Sequence, residues 1–174
     1  IETAGGQSRV YFNNGLALGG ATFSYNSTTN ASGTTVRITN TVSYAATNTV
    51  AASFNNAAAG IGNLELGGST GGGTNTFDIA DAASVASEVN INWSVVGTAA
   101  LRKIGNGVLT LGGAGTNTYS GNTVVTGGTL ALNKTAGVTA VAGNVEVGGT
   151  GKLLISASNQ VADTSAVTLS GGTI

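Results

Sequence analysis

The sequence predicts an all-β chain wound as a right-handed parallel β-helix of about eight turns, and three observations carry that prediction. The tripeptide Gly-Gly-Thr recurs at Gly127-Gly128-Thr129, Gly148-Gly149-Thr150 and Gly171-Gly172-Thr173, in steps of 21 and 23 residues. Each copy adjoins a short β-prone run such as Leu130-Ala131-Leu132 or Val145-Glu146-Val147. The composition also suits strands joined by tight corners: Thr and Val favour a pleated surface, the 29 Gly supply positive φ, and there is no Pro to interrupt a ladder of hydrogen bonds. A strand-and-corner unit of about 22 residues cannot bury its own apolar side chains, so it must stack on its neighbours.

A second pattern, two aliphatics one residue apart followed by glycine, appears at Leu16-Ala17-Leu18, Leu64-Glu65-Leu66, Leu109-Thr110-Leu111 and Val145-Glu146-Val147. The first three are separated by 48 and 45 residues, which reads as two turns per interval. Alternation puts the aliphatics inside and Glu65 and Glu146 outside, in solvent. Other expected strands are Val10–Phe12, Thr22–Tyr25, Thr35–Thr39, Thr76–Ile79, Val89–Trp93, Thr123–Val125 and Leu153–Ile155, with Trp93 in the core. Ala80 to Val89 has some helical character but reads better as a corner leading into a strand. Asn26 to Gly33 and Gly67 to Thr74 read as surface loops. No composition shift marks a boundary, so residues 1–174 are expected to form a single β-helical segment, a window on a longer repeat array.

From Leu101 the residues become more specific: Leu101, Lys103, Gly105, Gly107, Leu109 and Leu111, then Asn117, Tyr119, Gly121, Thr123 and Leu130. This spacing resembles the autotransporter-associated β-strand repeat, a passenger-type β-helix repeat of bacterial surface and secreted proteins, with its best match over residues 101–132. The resemblance implies an extracellular or cell-surface location and a scaffold role. Within the motif, Leu109 and Leu111 are expected to face inward, and Gly105 and Gly107 to let the chain turn closely over the coil below. Tyr119 is expected to cover a corner with its hydroxyl at the surface, and the asparagines to form inward ladders of stacked amides.

The composition narrows the chemistry. With 41% hydrophobic residues and a mean hydropathy of +0.24 the chain can bury a core, and 7% charged residues is too few for disorder. Six scattered basic residues give no footprint for nucleic acid. No run of about 18 apolar residues marks a membrane span in this segment. Without Cys or His there is no disulfide, no nucleophile–histidine pair and no zinc site of the usual ligands. Asp78, Asp81 and Glu88 are the acidic residues closest in sequence, and they read as solvated corner residues. No catalytic, cofactor-binding or metal residue is assigned. Thr-x-Thr triplets at 47, 74 and 116 are too irregularly spaced for an ice-binding ladder.

The expectation is therefore a non-enzymatic structural or adhesive stalk, a stiff spacer whose partners are neighbouring turns, further copies joined end to end as an extracellular fibre, or surface glycans. A polysaccharide-active enzyme built on the same coil, or a glycan-binding adhesin, is the alternative.

Overall fold

A computed structural model describes residues 2–4, 7–25, 34–56, 62–67 and 72–174. These contain strands, turns and bends and no helix. Strand β1 (Glu2–Ala4) leads into a first turn of β2 (Gln7–Phe12), β3 (Leu16–Leu18) and β4 (Thr22–Tyr25). The second turn holds β5 (Thr34–Ile38), β6 (Thr41–Tyr44) and β7 (Ala52–Asn56). The third holds β8 (Gly62–Leu66), β9 (Thr74–Ile79) and β10 (Val89–Ile91), and the fourth β11 (Ser94–Gly97), β12 (Ala100–Ile104) and β13 (Val108–Gly113). Beyond these, β14 (Thr123–Val125) and β15 (Thr129–Lys134), then β16 (Val145–Gly148) and β17 (Lys152–Ile155), then β18 (Val167–Ser170), continue the coil.

Each strand pairs in parallel with the strand one turn away, which makes three sheets: a first of five strands, a second of seven and a third of six. Among the described residues the one antiparallel strand pairing is β1 on β2. The fold is a parallel β-helix. After β11 the first face continues without regular strands, through bonds such as Thr118 N–H to Val95 O (2.8 Å) and Ala140 N–H to Gln160 O (2.8 Å).

Register shows how turn length changes along the coil. Lys103, Val125, Val147 and Leu169 lie above one another at constant 22-residue steps. The earlier steps are longer, with Val42 opposite Phe77 and Phe54 opposite Ile91. The reading of 48- and 45-residue intervals as two turns is corrected here. Leu16–Leu18 lies in the second sheet, Leu64–Leu66 in the first and Leu109–Leu111 in the third. The aliphatic-pair motif thus serves all three faces, because every face needs two inward side chains before its corner. The Gly-Gly-Thr copies, by contrast, each follow a strand of the second sheet: β14, β16 and β18.

Alternation sets the interior. Leu64 and Leu66, Leu109 and Leu111, and Val145 and Val147 are buried. Glu146 is exposed as expected, while Glu65 is half-covered by its ion pair with Arg37 (2.8 Å). Phe23, Phe54 and Trp93 form a column on consecutive turns, with centroids 4.9 and 5.5 Å apart, and Trp93 is in the core as expected. The expected strands that fall on described residues are strands, except that Thr35–Thr39 stops at Ile38 and Val89–Trp93 stops at Ile91, where Asn92 and Trp93 form the corner to β11; Ala80–Glu88 is an irregular corner. Residues 26–33 and 68–71, expected to be loops, lie outside the described residues.

Paired parallel strands stand about 4.8 Å apart, so corners have little room. By register, Gly105, Gly127, Gly149 and Gly171 form a column. A Cβ on Gly105 would meet Ile79 O at 2.4 Å, and one on Gly107 would meet Ala80 O at 2.6 Å. The expected close approach of these two glycines is therefore present. Gly113 combines φ +83° with a would-be Cβ contact of 2.1 Å to Asn92 O. Gly113→Ala is expected to destabilise the chain by about 2–4 kcal/mol in urea unfolding, from strain and overpacking together. Gly19→Ala, at ordinary φ with nothing within 4 Å, is expected to stay within about 0.5 kcal/mol of wild type.

Candidate functional site

Several residues of the 101–132 motif act as internal fasteners between turns. Lys103, on β12 between Phe77 and Val125 in register, points inward and is fully buried. Its Nζ donates to Ile104 O (2.6 Å), Gly105 O (2.9 Å) and Gly127 O (3.3 Å), carbonyls that the glycine corner leaves outside the ladder. Lys134, at the end of β15, does the same for Gly112 O (2.8 Å) and Trp93 O (3.3 Å). Burial pushes both ammonium groups down to about 8, a shift that Asp78 and Glu88 partly oppose at Lys103.

Two further polar side chains do comparable work. Asn117 accepts from Val95 N–H (2.8 Å) and donates to Ala140 O (2.8 Å), so one amide bridges the turns before and after its own. Gln160 accepts from Lys134 N–H (2.7 Å) and donates to Val138 O and Ser158 O (both 3.1 Å). Inward amides therefore bond to backbone, and the expected amide-on-amide ladder is corrected for this column; the amide pair Asn92–Asn55 lies on the outer side of the third sheet, half-buried. Unpaired backbone groups cost more when buried than unpaired amides at a surface, and that cost decides which partner each asparagine takes.

Tyr119 is also corrected. It is fully buried, with its hydroxyl 2.6 Å from Thr123 Oγ1, and burial holds the phenol well above its ordinary value. Gly121 fits beneath the chain at Ala99, where a Cβ would lie 2.3 Å from carbonyl atoms. That close stacking draws the Asn-x-Tyr-x-Gly-x-Thr corner inside.

The acidic residues separate. Glu88 was expected in solvent but is buried, accepting Ala82 N–H (3.1 Å) and Val108 N–H (2.6 Å), which pins the irregular 80–88 corner to the next turn. Asp78 and Asp81 remain at the surface of an open groove of about 330 Å³, lined also by Ala46, Ala80, Gly105 and Asn106 and by no basic residue. Among the described residues no three acidic side chains converge. The Thr-x-Thr triplets share no face, because Asn75 and Asn117 at their centres are buried on different sides of the coil.

The outer faces differ in character. Tyr11, Arg37 and Glu65 form one row across three turns of the first sheet, with Arg37 4.9 Å from the Tyr11 ring centroid. The second sheet carries Asp78, Arg102 and Glu146. Leu154, Ile155, Val167, Leu169 and Ile174, on and after β17 and β18, are 43–57% exposed. Among the described residues no helix is long and apolar enough to cross a membrane.

A family model, the passenger-associated-transport-repeat, matches residues 101–132. This is the stretch whose spacing carried the resemblance, and the segment is similar to that repeat. No curated protein and no solved structure matches the chain.

The buried amines give a pH dependence of definite sign. Between about pH 8 and 10.4 the unfolded lysines hold protons that the folded ones have shed, so stability rises with pH across that window. Tyr119 acts oppositely above about pH 10, where only the unfolded phenol ionises. Urea unfolding is expected to show a gain of about 1–3 kcal/mol from pH 7.5 to 9.5 and a decline above about 10.5. Lys103→Met and Lys134→Met should each flatten the rise. Tyr119→Phe should cost about 1 kcal/mol at neutral pH, from the stranded Thr123 hydroxyl.

Proposed function

We propose that the chain is a non-enzymatic, right-handed β-helical spacer, part of a secreted or surface-exposed bacterial protein, whose work is to span distance as a stalk or fibre element. The observation that carries this reading is the constant 22-residue register from Lys103 to Leu169, in which each motif side chain fastens one turn to another. Sequence information in such a chain is used on stacking. The passenger-type repeat at 101–132 supports surface or secreted placement.

The exposed apolar side chains of β17 and β18 suit stacking against a neighbouring turn or against a second copy. Each alternative pairs the open strand edges and removes Leu169 and Val167 from water. The enzymatic alternative is poorly supported: the groove beside Asp78 and Asp81 has neither a third carboxylate nor a basic residue.

Small-angle scattering with sedimentation velocity separates the versions. An elongated particle is expected. Growth with concentration that Leu169→Glu abolishes would support end-to-end copies, whereas an elongated monomer at all concentrations would restrict the end to neighbouring turns. Depolymerisation of an acidic polysaccharide by the purified chain would overturn the spacer reading.

A further inference from the structure

We propose that the outer face of the third sheet binds an uncharged polysaccharide, a role independent of the spacer function. Register places Thr22, Ser53, Asn90 and Thr110 in one outward row across four turns. Two positions along each strand, Ser24, Asn55 and Asn92 make a second row, and Asn133 stands beyond Gly112 in the same line. None of these is charged; the exposed charge on the strands of this sheet is Lys152 of β17, two turns beyond Thr110, whereas the other two faces carry Arg9, Arg37 and Glu65, and Asp78, Arg102 and Glu146.

Lateral hydrogen bonds hold the rows in place. Asn92 Nδ2 donates to Asn55 Oδ1, Asn55 Nδ2 to Ser53 Oγ (3.1 Å), and Ser53 Oγ lies 3.1 Å from Thr22 Oγ1. Ser87 Oγ ties Asn90 Oδ1 (3.0 Å) to Thr110 Oγ1 (2.8 Å). An amide has two donor hydrogens, so Asn55 and Asn92 each keep one that these bonds leave unused. The side chains are ordered before any ligand arrives, which removes much of the rotamer cost of binding.

The chemistry of the face selects its occupant. Across β4 to β13 an anionic or cationic ligand would give up hydration without meeting a counter-charge. A protein partner would need a large apolar or aromatic anchor, and Phe23 and Phe54 of these strands are on the inward side. A neutral glycan chain instead presents alternating hydroxyl donors and acceptors. Its repeat meets polar groups spaced about 4.8 Å across the strands and about 6.7 Å along them. With no stacking platform, each contact is weak and binding accumulates with chain length.

Affinity electrophoresis of the whole chain through gels containing hydroxyethylcellulose, laminarin or soluble starch tests this, with polygalacturonate as the anionic comparison. Retardation by at least one neutral polymer, unchanged in about 0.5 M salt, is expected because no ion pair is involved. Asn55→Ala with Asn92→Ala should weaken it at least fivefold. Ser24→Lys with Asn133→Lys, both at exposed positions, should do the same with an unchanged unfolding midpoint, and Glu146→Gln on the second sheet should leave it intact. Absence of retardation by all three neutral polymers would overturn the proposal, as would retention by polygalacturonate alone or retention that survives both double variants. Ice-growth shaping or self-association through this face without polysaccharide retention would also overturn it.

Discussion

The spacing between stacked turns governs the molecule. Parallel strands about 4.8 Å apart satisfy one another's backbone groups along the sheets, but at each corner the chain must turn inside the same thickness. Anything bulkier than a hydrogen then collides with the carbonyl of the turn below. The would-be Cβ contacts of Gly97, Gly105, Gly113 and Gly128, all between 2.1 and 2.4 Å, express that limit directly. The glycine column follows from the coil's thickness rather than from a need for mobility.

Tight corners create a second requirement. Carbonyls and N–H groups that leave the ladder at a bend are buried, and an unpaired buried group costs about 1–3 kcal/mol. Lys103, Lys134, Asn117, Gln160 and Glu88 each reach at least two such groups. The lysines are suited to corners where carbonyls crowd, since an ammonium offers three donors. Glu88 suits the corner where two N–H groups converge. Charge inside this protein is thus assigned by the sign of the backbone dipoles it meets, with desolvation offset by short hydrogen bonds.

Turn length varies with the size of the corners rather than with the strands. From Lys103 onward the second-sheet register repeats at 22 residues, whereas earlier turns carry excursions such as 80–88 between β9 and β10. The same passage shows the means of accommodating an insertion: the excursion leaves the stack, and one buried carboxylate ties its base to the next turn.

Strands with branched or aliphatic alternation, such as Thr22–Tyr25 and Thr123–Val125, were legible because side-chain period and burial coincide. So were the parallel stacking and the glycine corners. β7, reading Ala-Ser-Phe-Asn-Asn, carries a single large apolar residue and no aliphatic pair, and it is a strand because β4 and β10 flank it. The depth of Tyr119, Glu88 and the two lysines was not legible either, since their residue types ordinarily belong at the surface. The sequence by itself determined that this chain is a coil of short strands with glycine corners, because that information is local and periodic. Tertiary structure alone decided which face each aliphatic pair lines and which polar groups go inside, because both depend on how many residues each turn spends in its corners before the next strand comes into register.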